Sequence, residues 1–177
     1  MVTGIEQYHF ERAGYFVRRG LLSAERLEAF RRAPTASPPE EIVALAADLL
    51  GARGHPIAAE WATAPAARVW RREAGPPVDS PAEAQVAELA RCPLVVEVRL
   101  ALDEDGGLLV VPGSHAPDTP EAVLRATAGA VDAVVPEAVH IRIAAGDCLL
   151  MSGALLRTEE APEAPVARMR FQLREAS

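Results

Sequence analysis

The chain contains no lysine and no asparagine, so all 18 of its basic residues are arginine. With abundant Ala, Pro and Glu, that bias matches a GC-rich bacterial genome and by itself implies no mechanism. Cysteine is scarce too. Cys92 and Cys148 are the only two; they lack the spacing of a metal site, and nothing marks a secreted disulfide scaffold. Both are expected to be buried thiols. No apolar run approaches the roughly 20 residues of a membrane span, so no membrane partner is expected. The first dozen residues carry charges and no apolar core, which argues against a signal peptide. Positive charge is not in excess either. A net charge of −7 favours solubility and disfavours a nucleic-acid partner. These absences leave a soluble cytoplasmic protein as the expectation. Internal repeats and low-complexity tracts are missing as well.

What is present is a globular composition. Half of the 177 residues are hydrophobic and 24% are charged, which suits one domain over 1–177 with a single sizeable core. Helical signals dominate residues 1–52. Ile5 to Arg12 reads as a short helix ended by Gly14, and Tyr15 to Arg19 as a strand. Ser23 caps a helix that places Leu27 and Phe30 on one face. Residues 33–39 read as a linker, and Pro39 to Leu50 as a second amphipathic helix ending at Gly51. From residue 55 the pattern turns to β. Strands are expected at Ile57–Trp61, Ala67–Glu73, Ala130–Val135, Ala138–Ile143, Asp147–Met151 and Val166–Arg174. Short helices are expected at Pro81–Arg91 and at Thr119–Thr127, the latter capped by Thr119.

The most distinctive stretch is Leu94 to His115, LVVEVRLALDEDGGLLVVPGSH. Two β-rich runs around an acidic Gly-Gly turn predict a hairpin, followed by a Pro112-Gly113-Ser114-His115 corner. Gly146-Asp147 predicts the turn between two later strands. Helices followed by at least seven short strands predict a mainly β, α+β fold: a small barrel or jelly roll with the N-terminal helices on one face. Alternation adds detail. Ala167, Met169, Phe171 and Leu173 share one strand face, and Arg168, Arg170, Gln172 and Arg174 the other. Val96, Val98, Leu100 and Leu102 likewise oppose Glu97 and Arg99. The polar faces are either solvated or line a pocket.

GGLLVVPGSH, AAGDCLLMSGALLRT and ARMRFQL resemble the core of the phytanoyl-CoA dioxygenase family. GYFVRRGLLSAERLEAFR is similar to that family's opening strand and helix. The likeness covers residues 8–32 and 94–174 and is poor over 33–93. It implies a double-stranded β-helix, a cupin-like jelly roll, that binds Fe(II) and 2-oxoglutarate and hydroxylates small organic substrates. In that family a His-x-Asp pair and a distal His hold the metal. An Arg after the distal His takes the far carboxylate of 2-oxoglutarate as a charge-assisted fork.

The ligand positions of this chain depart from that pattern. The family's Trp-His-x-Asp segment aligns with Trp70-Arg71-Arg72-Glu73, and its distal His with Arg157. Arg168 stands where the co-substrate arginine is expected. Arginine cannot lose its proton in a protein and cannot ligate a metal. No His-x-Asp occurs anywhere in the sequence. His9-Phe10-Glu11 mimics the spacing but precedes the barrel, and His55, His115 and His140 are expected to be hydrogen-bonded or solvated. No metal and no cofactor is therefore expected, with Fe(II) and 2-oxoglutarate returning only if residues 67–75 align differently.

An ion-pair network is expected in the metal's place. Arg71 and Glu73 share a strand face, and Arg157 can pair with Glu73. Arg71, Arg157 and Arg168 carry more positive charge than Glu73 neutralises, which favours an anionic ligand. Arg168, Arg170, Arg99 and Glu97 are the expected substrate-binding residues. Three readings stay open. The first is a metal-independent enzyme for a small anionic or carbonyl-bearing metabolite. It would run a cyclisation, isomerisation or other rearrangement, with Glu73 or Glu97 as acid/base and Arg71 and Arg157 stabilising negative charge. The second is a non-catalytic accessory protein. The third is an active Fe(II)/2-oxoglutarate dioxygenase. The short middle segment would leave one face thinly covered, compatible with a homodimer.

Overall fold

The structure, a computed structural model, describes residues 1–32, 38–51, 54–61, 69–126, 134–159 and 168–175. Helix α1 (Gly4–Ala13) starts at Thr3, whose hydroxyl accepts from the Glu6 amide while Glu6 reaches back to the Thr3 amide. This reciprocal capping satisfies two N–H groups that the first turn would otherwise leave open. The helix ends at Gly14, φ +83°, a left-handed cap. β1 (Tyr15–Arg18), α2 (Ala24–Arg32) and α3 (Glu40–Leu50) follow. The remaining elements are β2 (Gly54–Trp61), α4 (Ala82–Leu89), β3 (Val95–Ala101), β4 (Asp105–Val110), α5 (Glu121–Ala126), β5 (Val139–Ile143), β6 (Cys148–Ser152), β7 (Arg157–Glu159) and β8 (Arg168–Glu175).

The strands form two antiparallel sheets, one in the order β1-β6-β3-β8-β2 and one in the order β5-β4-β7. Strand periodicity divides each strand between two cores. Val96, Val98, Leu100, Leu150, Phe171 and Leu173 face outward and pack under α1, α2 and α3 through Phe10, Leu27, Ile42 and Leu45. The opposite faces meet between the sheets, where Ala101, Leu149 and Met151 pack on Leu108, Val110, Ile141 and Ile143. A third cluster around Trp70, Val111, Leu124 and Leu156 closes one end. No helix among the described residues is long and apolar enough to cross a membrane.

Leu94–His115 does not form the expected hairpin. β3 pairs with β6 and β8, whereas β4 pairs with β5 and β7. The chain therefore arches from one sheet to the other at Leu102–Glu104. The physical reason is burial. Every residue from Val95 to Ala101 is buried, so β3 needs neighbours on both edges and layers on both faces, which one partner strand cannot supply. Asp105 and Gly106 are not in the turn but inside β4, where the register shifts between Asp105 and Leu108. Gly146-Asp147 is also a crossing between sheets, joining β5 to β6.

Three further expectations differ. Residues 69–73 make one isolated bridge, Arg71 to Arg157, rather than a strand; residues 67 and 68 lie outside the described residues. Of the strand expected at 130–135, only Val134 and Val135 are described, and neither is in a strand. The Thr119 hydroxyl does not cap α5. It donates to the Ala116 carbonyl at 2.6 Å, which folds the chain back on the Pro-Gly-Ser-His corner.

Candidate functional site: a buried ring of arginines and carboxylates

The polar face of β3 points between the sheets, not into solvent. Glu97 and Arg99 are both 0% exposed, and the register of β3 on β8 sets Glu97 opposite Gln172 and Arg99 opposite Arg170. From the other sheet, β7 contributes Arg157 and Glu159, 0% and 3% exposed. β7 is anchored at its start. The Ser114 hydroxyl accepts from the Leu156 amide at 2.9 Å, so the Pro-Gly-Ser-His corner positions the residue before Arg157. Arg71 and Arg157 then exchange backbone bonds of 2.8 and 3.0 Å, and the Glu73 amide donates to Gly153 O at 2.8 Å. Between them Arg72 turns the other way. Its Nε donates to Ala154 O and its Nη1 to Gln85 Oε1, both at 2.9 Å. Burial pushes its guanidinium down to about 10. Arg71 and Glu73 are thereby left on the interior side.

The side chains close a ring. Glu73 Oε1 accepts from Arg157 Nη2 at 2.6 Å and from Arg170 Nη2 at 2.9 Å. Glu97 accepts from the same two residues, from Arg170 Nε at 3.2 Å and from Arg157 Nη2 at closer range. Arg157 and Arg170 thus each bridge Glu73 and Glu97. Gln172 Nε2 donates to Glu73 Oε2 at 3.1 Å. Arg71 links the ring to a second group: its Nε lies 3.6 Å from Glu73, and its Nη2 donates to Glu159 at 2.9 Å. Glu159 also accepts from Arg99 at 2.7 Å, and Arg99 Nη1 lies 3.4 Å from Asp105. Burial raises the Glu73 carboxyl, but Arg157, Arg170 and Arg71 outweigh it and hold the group below the usual carboxylate range. Burial lowers Arg157, against the pull of Glu97 and Glu73.

The structure brings together six of the seven residues singled out from the sequence: Glu73, Arg71, Arg157, Arg170, Arg99 and Glu97. Arg168 is placed by its backbone alone, opposite Ala101. Sequence reasoning missed Glu159 and Asp105 and gave Gln172 no part in the site. These acids change the charge. Arg71, Arg99, Arg157 and Arg170 face Glu73, Glu97, Asp105 and Glu159, so the expected surplus of positive charge is absent among the described side chains of the cluster. The described histidine side chains lie elsewhere; that of His55 is outside the described residues, its backbone standing opposite Arg174. His9 and His140 are exposed on α1 and β5, and the His115 ring sits against the Glu11 carbonyl at 3.2 Å. Two surface crevices, about 350 Å³ beside α4 and α5 and about 280 Å³ beside the Pro-Gly-Ser-His corner, include no member of the ring.

Similar folds occur among solved structures. HygX from Streptomyces hygroscopicus, in a crystal structure with nickel and 2-oxoglutarate bound, matches with a TM-score of 0.75 at 18% identity over 99% of this chain and 88% of HygX. The non-heme alpha ketoglutarate dependent epimerase SnoN from nogalamycin biosynthesis matches with a TM-score of 0.68 at 16% identity, over 98% of this chain and 83% of SnoN. The non-heme alpha ketoglutarate dependent carbocyclase SnoK from the same biosynthesis matches with a TM-score of 0.65 at 15% identity, over 99% and 85%. At these identities the likeness establishes a shared fold. No protein-family profile matches the sequence, and no curated protein does.

That fold carries a metal and 2-oxoglutarate in HygX. The positions that the family resemblance equates with two ligands hold the guanidiniums of Arg71 and Arg157, which carry no lone pair for a metal. Among the described residues no three His, Cys, Asp or Glu side chains form a group that could hold a metal ion. Among the described residues the donor set does not fit an iron or nickel centre.

Proposed function

We propose that the chain is a metal-independent protein on a jelly-roll oxygenase fold that acts on a small anionic or carbonyl-bearing metabolite. One observation carries this reading: Arg157, wholly buried, bonds both Glu73 and Glu97 at the position where the family resemblance expects a ligand histidine. The reaction class is a redox-neutral rearrangement, an isomerisation or cyclisation in specialised metabolism. The fold's use by an epimerase and a carbocyclase supports that class. In this scheme Glu73, ionised and at the more exposed rim of the ring, takes a proton from carbon next to a carbonyl. The electron pair moves to the carbonyl oxygen, and Arg71 stabilises the oxyanion. Return of the proton to another carbon or another face completes the reaction, with no oxidant needed.

A second reading is favoured by the depth of the ring. Arg157, Arg99 and Glu97 have no exposed surface, as befits a structural network in a non-catalytic accessory protein. Two experiments separate the readings. Metal analysis of the purified protein, followed by titration with Fe(II) and 2-oxoglutarate, is expected to show no stoichiometric binding. Stoichiometric Fe(II) binding coupled to 2-oxoglutarate decarboxylation overturns metal independence. Once a substrate is found, Glu73→Gln is expected to lower turnover by about 10²–10⁴-fold, the usual worth of a general base. Unchanged turnover removes Glu73 from the chemistry, and failure to find any turnover by the wild-type protein favours the accessory reading.

A further inference from the structure

Glu73 fills a seat that is built for a carboxylate. Its two oxygens meet Arg157 at 2.6 Å, Arg170 at 2.9 Å and Gln172 at 3.1 Å, with Arg71 Nε at 3.6 Å. These donors come from β7, from β8 and from the short segment before Glu73. They converge as donors converge on a bound acid group, in charge-assisted geometry. The occupant differs from Glu97, which shares two of the donors. Glu97 lies in the middle of the central strand, and its side chain is 0% exposed. The Glu73 side chain is 22% exposed, on a stretch held by a single bridge and by the Gly153 carbonyl. Arg157 also has donors to spare. Among the described residues its buried Nε and Nη1 meet no acceptor, and neither does Arg99 Nε. Buried donors without acceptors cost on the order of 1–3 kcal/mol each, and a ligand that reaches them recovers part of that.

We propose that a carboxylate-bearing ligand binds by taking the Glu73 seat on Arg157, Arg170 and Gln172, turning the Glu73 side chain aside to the rim of the ring, next to the ligand. The inference rests on the small-anion reading above and names its ligand class. It also couples binding to chemistry. Tied to three guanidiniums, Glu73 is a weak base. Once the ligand's carboxylate has taken those partners, Glu73 is free beside the ligand and holds a proton more readily. Only a ligand that bears the carboxylate switches the base on, which selects against neutral analogues without any contact to the rest of the molecule.

The test uses acetate as the probe, with acetamide as its neutral isostere, at constant ionic strength. Binding to the wild-type chain, Glu73→Gln and Glu73→Ala is followed by calorimetry or by shift of the melting temperature. Acetate is expected to bind Glu73→Ala at least tenfold more tightly than wild type, with Glu73→Gln between them and acetamide ineffective. Arg170→Met placed on Glu73→Ala is expected to abolish the gain. Equal acetate affinity for wild type and both Glu73 variants overturns the proposal. If that binding also survives Arg170→Met, acetate sits elsewhere, and the small-anion reading stands without this seat. Acetamide binding as tightly as acetate overturns it too. Should Glu73→Ala fail to fold, the comparison of Glu73→Gln with wild type decides alone.

Discussion

A guanidinium with no exposed surface, such as Arg157, persists in a protein interior only when carboxylates and hydrogen bonds replace its lost hydration. Glu73 and Glu97 both do so, at the same nitrogen, Nη2. Removing one partner strands the other, and the asymmetry is measurable. Glu97→Gln is expected to cost about 3–5 kcal/mol, read as a fall of roughly 10 °C in melting temperature or as a lower urea midpoint. The paired replacement Glu97→Leu with Arg157→Met is expected to cost less than the sum of the two single changes, because no charge is left uncompensated. Most of this site was legible in the sequence for a simple reason. Glu97 with Arg99 and Arg170 with Gln172 stand two apart among apolar neighbours, so strand periodicity alone puts each pair on one face. Glu159 and Asp105 were not legible. β7 is three residues long and too short to show a period, and Asp105 stands in an acidic Gly-Gly sequence that imitates a turn. Without them the ring reads as cationic, whereas each of its described guanidiniums faces a carboxylate.

Among the elements, the joints are more sharply specified than the strands. Asp147 joins β5 to β6 and also pins the loop after β1: its carboxylate accepts from the Gly20 amide at 2.8 Å, the Ala144 amide at 2.9 Å and Arg19 at 2.5 Å. Burial raises the Asp147 carboxyl, but these three bonds prevail and leave it below the ordinary value. A carboxyl lowered in the folded state adds stability above its unfolded value near 3.9 and loses it as pH falls through the lower folded value. Asp147→Asn is therefore expected to cost about 1–2 kcal/mol at pH 7. The difference from wild type should shrink as pH falls below the unfolded value near 3.9 and through the lower folded one, followed by urea unfolding across that range. Gly14 is a second joint. A Cβ there would stand 2.7 Å from His115 Nδ1 and 2.8 Å from Leu155 Cδ1, on backbone at φ +83°. Gly14→Ala is expected to cost about 1–3 kcal/mol in thermal unfolding. Helix α1 and its glycine stop, β1 and β8 could be read from caps and periodicity. The pairing of β3 and β4 could not, because an arch and a hairpin share the same local signals and differ only in partners far along the chain.

For the molecule as a whole, two cores lie on either side of one sheet. The helices cover its outer face with apolar side chains, while its inner face divides between an apolar half and the ion-pair ring. On the proposed metal-independent reading, that ring fills the place a metal would take. Fe(II) with 2-oxoglutarate at millimolar levels is expected to leave the melting temperature unchanged, whereas a ligand at a hundred times its dissociation constant would add about 2.7 kcal/mol of stability. A clear upward shift with the pair, absent with either alone, would contradict that expectation. The arch between β3 and β4 also bears on how the chain reaches this state. A hairpin could zip up as soon as it left the ribosome. β3 must instead wait for β6 and β8, which are synthesised later, with both hydrogen-bonding edges open and a wholly apolar outer face uncovered. Such long-range pairing folds slowly, and the waiting strand is a template for misassembly. In the cell, the strand that carries Glu97 and Arg99 is thus the segment a chaperone has most reason to hold.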